Sequence, residues 1–302
     1  MKQNRKKDII GSVIMDDFKI ISWDALVETA QPVAAGSYFF PDGKETAISV
    51  GGFDGPHKGH DKLLRQVLNY AAENALVPGL VTFFRSPAAV KNKAYSGDVS
   101  SLRLRLKKFQ ELGFHFIVLI DFSASFAKIE GTAFFDILIK TIRMKYLAVG
   151  SDFFCGYRRG LGAADLKKIA PQKGFCFDSI DPVNISGSLK VSSSAIREAV
   201  SLGDFSLAKE LLGYPFLFDF VSLPWEVKDK NSIFAPRAYI TQILPQSGKY
   251  RVLVQKTNRQ EQEAHCLIND DGLLLCFPEK DLKGFDLKDL NNFDTIEFIC
   301  KE

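Results

Sequence analysis

The sequence contains few cysteines and no pattern that would use them as a group. The five cysteines stand at positions 155, 176, 266, 276 and 300 of 302 residues, and none belongs to a CxxC pair. A dispersed, odd-numbered set indicates neither a disulfide framework nor a zinc site. We therefore expect free thiols, as in the reducing cytoplasm, where we expect the protein to act.

Long apolar runs and a strong excess of one charge are also lacking. No segment approaches the roughly 18 uncharged apolar residues of a membrane-spanning helix. The basic N-terminus is followed by a short apolar stretch that Asp16 and Asp17 interrupt, so no signal peptide is predicted. The net charge is only +3, which argues against a broad nucleic-acid surface. We expect neither a membrane nor a nucleic-acid partner, and no feature specifies an oligomeric state.

Predicted strands and helices alternate from residue 46 onward, which indicates βα units and a parallel sheet covered on both faces. The predicted strands are 47–50, 79–84, 116–120, 146–150 and 175–180. The predicted helices are 58–76, one capped by Ser100 or Ser101 and ended by Gly113, one capped by Thr132 and running to Ile142, and 163–170. Ligands of such sheets bind at the carboxyl ends of the strands.

The flanking regions differ in character from this alternation. Before it, a strand at 18–21, a helix at 23–29 and turns at Pro32, Gly36, Pro41 and Gly43 are predicted. After it, helices begin near Ser193 and at Asp204, and strands follow at 239–243, 250–254 and 296–299. We predict three regions: an extension at 1–45, an α/β domain at 46–214, and a small β-barrel or sandwich at 215–302.

Residues 51–60 read GGFDGPHKGH and form the sharpest chemical signal. The glycines allow a ligand to approach the backbone closely. His57 and His60 are spaced three apart at a predicted helix start, where N–H groups and the helix dipole favour anions. Only four histidines occur in the chain, so two in one turn are notable. The segment predicts a binding site for a polyphosphate.

Two further segments carry weaker signals of the same kind. Residues 150–160 read GSDFFCGYRRG, a loop whose aromatic side chains suit a planar ring and whose arginines suit phosphate. Residues 191–197 read VSSSAIR, in which hydroxyl groups at a helix start either cap the helix or bind phosphate, and Arg197 can add a phosphate clamp.

Together these segments resemble the FMN adenylyltransferase module of bacterial riboflavin kinase/FAD synthetases. HKGH at 57–60 is similar to the His-x-Gly-His motif of that nucleotidylyltransferase superfamily, and FDG at 53–55 to its flavin version. GSDFFCG at 150–156 and SSSAIR at 192–197 resemble two further family signatures. The resemblance covers roughly 46–215, and it implies a Rossmann-like nucleotidylyltransferase sheet followed by a smaller β-barrel-like domain.

The resemblance implies the reaction ATP + FMN → FAD + pyrophosphate with Mg²⁺, by direct in-line attack without a covalent intermediate. It assigns catalysis to His57, His60 and Arg197. It implies these ATP-binding residues: Gly52, Phe53, Asp54, Gly59, Asp152, Arg158, Ser193 and Ser194. It implies FMN binding by Phe83 and Phe153, and metal ligands are not assigned. Arg85 is our own hypothesis for a contact with the FMN phosphate.

The sequence departs from the family pattern in two places. Residues 82–87 read TFFRSP where the family has Thr-Phe-x-Pro-His-Pro, and no Gly-x-Pro-Thr-Ala-Asn stretch follows residue 215. The second departure predicts that riboflavin is not phosphorylated, so the C-terminal domain would be a degenerate kinase-like one. Two alternatives stay open: a nucleotidylyltransferase acting on a pantetheine or nicotinamide phosphate, and a non-catalytic flavin or nucleotide sensor.

Overall fold

The computed structural model describes residues 18–30, 40, 43–91, 95–182, 184–185, 189–278 and 290–302. The chain divides into two compact units. The first consists of residues 1–93 and 106–190, and the second of residues 94–105 and 191–302. None of the described helices has the length and apolar character needed to cross a membrane. The predicted turns at 32, 36 and 41 and the basic residues 2–7 lie outside the described residues.

Six parallel strands form the central sheet of the first unit: the five that the alternating pattern predicts, and the strand predicted at 18–21, which the sequence had placed in the N-terminal extension. These strands are β1 (Lys19–Ser22), β2 (Thr46–Val50), β3 (Val77–Phe83), β4 (Phe116–Ile120), β5 (Met144–Gly150) and, after the short hairpin strands β6 (Phe154–Cys155) and β7 (Leu161–Gly162), β8 (Cys176–Ile180). They are ordered β1-β4-β3-β2-β5-β8. The short strands β9 (Asn184–Ile185) and β10 (Leu189–Lys190) pair with each other. The predicted parallel α/β sheet is confirmed.

The helices begin and end close to the residues that the sequence marks. They are α1 (Trp23–Ala30), α2 (Lys58–Glu73), α3 (Pro87–Lys91), α4 (Leu102–Glu111), α5 (Gly131–Ile142), α6 (Ala163–Lys173), α7 (Ser193–Leu202) and α8 (Phe205–Leu212). The side chains of Ser101 and Asp204 accept backbone N–H groups of α4 and α8, as predicted. The predicted cap Thr132 is wrong, because α5 already begins at Gly131 and Glu130 occupies the cap position.

The second unit contains a seven-stranded antiparallel sheet curled into a half-barrel. Its strands are β11 (Leu217–Asp219), β12 (Glu226–Val227), β13 (Ser232–Pro236), β14 (Gly248–Lys256), β15 (Glu261–Asn269), β16 (Gly272–Cys276) and β17 (Phe293–Lys301). Their order is β11-β17-β14-β15-β16-β13-β12. Strands predicted at 250–254 and 296–299 lie inside β14 and β17.

The strand predicted at 239–243 is wrong, and the reason is a tertiary contact. A 3-10 turn at Arg237–Tyr239 is followed by a single bridge between Gln242 and Asp98. The backbone groups of Thr241 and Ile243 bond to Asp98, and the N–H group of Ile240 bonds to the Arg237 carbonyl, so none of these bonds goes to a neighbouring sheet strand. The helices α7 and α8 belong to the same compact unit as the C-terminal strands. The domain boundary near 214 stays a prediction.

Candidate functional site

The two predicted loops of the first unit follow neighbouring strands. β2 pairs with β3 on one side and with β5 on the other, and all three run parallel. The strand order therefore reverses at β2, and the crevice outside the carboxyl ends at such a reversal is where open α/β sheets bind ligands. Residues 51–57 leave β2 at this point, and residues 151–160 leave β5 beside them.

The turn after β2 is shaped by close packing between Gly51 and Phe53. The ring of Phe53 is buried and its backbone adopts φ +40°. A Cβ atom at residue 51 would lie 2.8 Å from this ring, so only glycine fits there without displacing it. Gly52 is exposed with nothing within 4 Å of a Cβ position, and its carbonyl accepts a hydrogen bond from the Thr82 hydroxyl at 3.0 Å. The turn is thus anchored by this hydrogen bond, and a side chain at residue 52 would meet no neighbouring atom.

His57 and His60 come together at the start of α2. His57 occupies the cap position without a side-chain capping bond, and the backbone N–H of His60 donates to its carbonyl at 2.7 Å. The two imidazole rings stack with centroids 3.7 Å apart and planes 16° from parallel. The rings of Phe53 and His60 pack nearly at right angles, with centroids 5.1 Å apart and planes at 73°. The predicted pair therefore forms one aromatic cluster at the positive end of a 16-residue helix.

The surroundings of the pair keep both imidazoles neutral near pH 7. Burial lowers the pKa of His57 from 6.5 to about 4. Burial, together with the charge of neighbouring His57, lowers the pKa of His60 well below its usual value. Both Nδ1 atoms are buried and have no hydrogen-bond partner among the described residues. Neutral imidazoles can each donate one N–H group to a phosphate oxygen.

A cavity of about 340 Å³ opens beside this turn. This volume falls in the range of small-molecule sites, and its walls combine glycine backbone, aromatic rings and guanidinium groups. The lining comprises Val50, Gly51, Gly52, Phe83, Pro87, Phe122, Phe126, Ala127, Ile129, Phe134, Phe153, Phe154, Cys155, Gly156, Arg158 and Arg159. The predicted residues Gly52, Phe83, Phe153 and Arg158 thus share one cavity.

The loop after β5 holds two consecutive arginines at the rim of the cavity. Arg158 and Arg159 both have left-handed backbone conformations, with φ of +53° and +59°. The guanidinium of Arg158 lies 5.1 Å from the centre of the Tyr157 ring, and that of Arg159 lies 4.8 Å from the centre of the Phe154 ring. Planar cations stacked on rings present their N–H edges for phosphate contacts.

The other predicted residues of the first unit are not among the residues that line this cavity: Phe53, Asp54, His57, Gly59, His60, Arg85 and Asp152. Asp54 is buried, and Gly59 lies in the first turn of α2. Asp152 is exposed and pairs with Lys190 at 3.1 Å between Oδ2 and Nζ. Arg85 is exposed and does not line the cavity. Their roles in binding stay predictions.

The predicted residues of the third segment belong to the second unit. Ser192 caps α7 by accepting the Ala195 N–H group at 3.2 Å, so its hydroxyl serves the helix. Ser193 and Ser194 form the first turn of α7, and Ser194 is exposed. Arg197 lies one turn further along the helix and is held by residues 95 and 97.

The sequence did not point to several residues that line the cavity. Phe122 and Phe126 follow β4, and their rings lie 6.0 and 6.1 Å from that of Phe83. A signal was present, because this Phe-rich stretch leaves the carboxyl end of a strand that neighbours β3. Arg159 was also missed as an individual residue, although it stands in the loop that the sequence singled out.

Known proteins share both the sequence of this region and the fold. The model of the family described as FAD synthetase matches residues 40–195. The bifunctional riboflavin kinase/FMN adenylyltransferase of Buchnera aphidicola subsp. Schizaphis graminum is 31% identical over 173 residues, which are 57% of this chain and 55% of that protein. The protein of the same name from Escherichia coli K12 is 31% identical over 172 residues, covering 56% and 54%.

The similarity to these two proteins is confined to part of each chain, since this chain matches about half the length of either relative. A solved structure titled as a macrolide-efflux protein from Streptococcus pneumoniae superposes with a TM-score of 0.72 and 22% identity. The superposition covers 94% of this chain and 100% of that one, which indicates a shared fold. The family match spans more than half of the chain and contains the 51–60 turn and the 150–160 loop. The chain therefore belongs to the FAD synthetase family.

Proposed function

We propose that this protein transfers the AMP group of ATP to FMN and releases pyrophosphate, forming FAD. The observation that carries the proposal is the cavity at the β2–β5 reversal, which glycine backbone, aromatic rings and two arginines line together. A planar heteroaromatic ring suits the phenylalanine walls, and phosphate groups suit Arg158 and Arg159. FMN and ATP both combine a ring system with phosphate.

The chemistry requires positioning and charge stabilisation rather than a covalent intermediate. An oxygen of the FMN phosphate forms a bond to the α-phosphorus of ATP, and the bond from that phosphorus to the bridging oxygen breaks. The attacking group is already anionic and pyrophosphate leaves as an anion, so no proton must be transferred for the exchange. Catalysis then depends on holding the two phosphates in line and stabilising the charge that shifts to the leaving group.

His57 and His60 are suited to that stabilisation. Their neutral rings can donate N–H groups at the N-terminus of α2, where backbone N–H groups also favour anions. Gly52 and Gly59 leave room for the phosphates to approach the backbone, with Phe53 and Asp54 shaping the turn between them. We assign the ATP triphosphate to this turn.

The remaining assignments divide between the two ligands. Phe83 and Phe153 would contact the flavin, with Arg85 as the hypothetical partner of its phosphate. Arg158 and Asp152 would contact ATP from the loop after β5. Ser193, Ser194 and Arg197 of α7 would hold ATP phosphate oxygens.

Magnesium would be held mainly by the substrate. Among the described ranges, no group of three or more His, Cys, Asp or Glu side chains could hold a metal ion. Mg²⁺ in nucleotide sites is commonly bound through few protein carboxylates and several phosphate oxygens. None of the residue roles assigned to the site depends on a protein-bound metal.

The second unit is proposed to lack riboflavin kinase activity. In the segment after Pro215, Phe216, Phe218 and Phe220 are all buried. Between them, the Asp219 carboxylate pairs with Arg103 at 2.7 Å. These side chains serve packing and an internal ion pair, which leaves no phosphate-binding loop in this stretch.

The decisive experiment incubates the purified protein with ATP, Mg²⁺ and FMN and follows FAD by chromatography. We expect FAD and pyrophosphate in equal amounts, and a loss of about 10²–10³ in rate for His60→Ala, the usual cost of one transition-state contact. Parallel reactions replace FMN by a pantetheine phosphate or a nicotinamide mononucleotide, and faster pyrophosphate release with either, or FMN binding without FAD formation, would refute the proposal. A separate reaction with riboflavin and ATP is followed by FMN and ADP, and FMN formed above a protein-free blank would refute the proposed lack of kinase activity.

A further inference from the structure

The guanidinium group of Arg197 is held by a loop that precedes it by 100 residues. Its Nε atom donates to the carbonyl of Gly97 at 2.8 Å, and its Nη2 atom donates to the hydroxyl of Tyr95 at 3.0 Å. The guanidinium carbon also lies 4.8 Å from the centre of the Tyr95 ring. Two of the five N–H groups of an arginine suffice to fix the plane of its guanidinium.

The Tyr95 hydroxyl is in turn fixed by Asp98. It accepts the bond from Arg197 and donates to Oδ1 of Asp98 at 2.6 Å. Asp98 is buried, and its backbone N–H donates to the Thr241 carbonyl at 2.9 Å, while its carbonyl accepts the Ile243 N–H at 2.8 Å. The loop is thereby attached to the 241–243 segment of the C-terminal half.

Gly97 shows how closely the two segments approach. Its backbone has φ +131°, and a Cβ atom there would lie 2.6 Å from the backbone nitrogen of Ile243. Any other residue would have to push the loop away from the 241–243 segment. The position of the Gly97 carbonyl, which accepts the Arg197 Nε–H group, therefore depends on this close contact.

Gln242 connects the same segment to the sheet of the second unit. Its side-chain oxygen accepts the N–H group of Asp219 at 2.8 Å, and its nitrogen donates to the Leu217 carbonyl at 3.1 Å. Both residues belong to the edge strand β11. A continuous set of hydrogen bonds thus leads from the half-barrel sheet through the loop to Arg197, all within one compact unit.

We propose that Tyr95 is a positioning residue for Arg197, and that the half-barrel sheet acts in the reaction by fixing this arginine through residues 95–98. The inference rests on the proposed role of Arg197 in binding ATP phosphate. A free arginine side chain loses rotamer entropy when it is ordered by a ligand. An arginine ordered beforehand spends less of the binding energy on ordering, and so holds the phosphate more tightly.

The test is a double-mutant cycle between Tyr95→Phe and Arg197→Ala, with FAD formation measured at varied ATP. We expect Tyr95→Phe to lower kcat/KM for ATP about tenfold in the wild-type background, because one hydrogen bond to a charged group is lost. The same substitution should change kcat/KM less than twofold when Arg197 is already alanine, because its effect passes through that arginine.

Tyr250→Phe is the matched control. The Tyr250 hydroxyl also donates a hydrogen bond within this unit, to the Gln246 carbonyl at 2.6 Å. This bond is not one of those that connect the 95–98 loop to Arg197. Tyr250→Phe should lower the unfolding temperature to a similar extent while leaving KM for ATP unchanged. Equal losses from Tyr95→Phe in both Arg197 backgrounds, or an unchanged kcat/KM in the wild-type background, would overturn the inference.

Failure of the proposed function gives a different result. If the unaltered protein forms no FAD, the reaction assignment fails, and the positioning role is decided by calorimetric titration of the same four proteins with ATP. Weaker ATP binding by Tyr95→Phe only when Arg197 is present supports the role. Equal affinity with and without the Tyr95 hydroxyl refutes it.

Discussion

The imidazole rings of His57 and His60 stack 3.7 Å apart at the start of α2, and both are held in a setting that disfavours their charged forms. Two imidazolium ions at this separation would repel each other, and the positive end of the helix dipole adds to the cost. A polyanion bound beside the rings would instead favour their protonated forms. The pair is therefore not a permanent positive charge, and the proposed function gives it the role of donating N–H groups to ATP phosphate oxygens.

The stability of the protein should depend on pH through His57. Its pKa is about 4 in the folded protein against 6.5 when unfolded, so between these values the unfolded chain binds more protons and the free energy of unfolding falls as pH falls. The loss from pH 7 to pH 5 should be about 2 kcal/mol. Urea unfolding at both pH values, with His57→Gln alongside, isolates this contribution.

The His57→Gln protein should lose less stability than the wild type over the same interval, since glutamine does not titrate. Carboxylates elsewhere titrate equally in both proteins and cancel in the comparison. An identical pH dependence for the two would show that burial does not depress the pKa of His57.

Gly51→Ala and Gly52→Ala should separate the shape of the turn from its access to ligand. The Cβ atom at residue 51 would lie 2.8 Å from the Phe53 ring, which packs on His60. We expect Gly51→Ala to destabilise the fold by about 1–3 kcal/mol, as overpacking does. Gly52→Ala meets nothing within 4 Å, so stability should be unchanged within about 0.5 kcal/mol.

The KM for ATP tests whether residue 52 contacts the ligand. Gly52→Ala should still raise KM for ATP, since its methyl group would project from backbone that we expect ATP to contact. Denaturant unfolding and steady-state kinetics measure the two effects. A Gly52→Ala protein with unchanged KM would remove residue 52 from the ATP site.

Arg103 should be the most costly charge to remove from the second unit. Its guanidinium pairs with Asp219 at 2.7 Å and with Asp294 at 2.6 Å, and both Arg103 and Asp219 are buried. Arg103→Met leaves the buried Asp219 without its cationic partner, which typically costs about 3–5 kcal/mol. Chemical denaturation monitored by tryptophan fluorescence measures the loss.

The exposed pair between Lys228 and Glu226 provides the control for Arg103. Its atoms lie 2.9 Å apart but both side chains are about half exposed to solvent, so Lys228→Met should change stability by less than about 0.5 kcal/mol. Similar losses in the two variants would mean that burial does not decide the value of these ion pairs.

Cys155 should react slowly with thiol reagents even though it lines the cavity. Burial raises the pKa of its thiol to about 12, so very little reactive thiolate exists near neutral pH. Cys176 and Cys300 are exposed. In a brief reaction with iodoacetamide at pH 7.5, mass spectrometry of peptides should find these two cysteines labelled well before Cys155. Preferential labelling of Cys155 would contradict the burial of its thiol.

The sequence by itself determined the parallel α/β sheet and most of its helix ends. Apolar periodicity and helix capping are local properties, because each is set by residues that are close together in the sequence. Ser101 and Asp204 cap helices as predicted because a hydroxyl or carboxylate at that position can reach N–H groups three residues on. The segments at 51–60 and 150–160 were identified for the same reason, because their glycine, histidine, aromatic and arginine residues are adjacent in the sequence.

Tertiary structure alone decided which segments meet. The strand order puts β2 beside β5, which brings loops 100 residues apart to one crevice, and it puts β4 beside β3, which adds Phe122 and Phe126 to the wall. Residues 239–243 have a strand-like composition, yet the backbones of Thr241 and Ile243 bond to Asp98, and the buried Gln242 side chain bonds to backbone groups of β11. Buried backbone polar groups need hydrogen-bond partners, and these partners can lie far away in the sequence. Local strand propensity therefore does not predict such pairings.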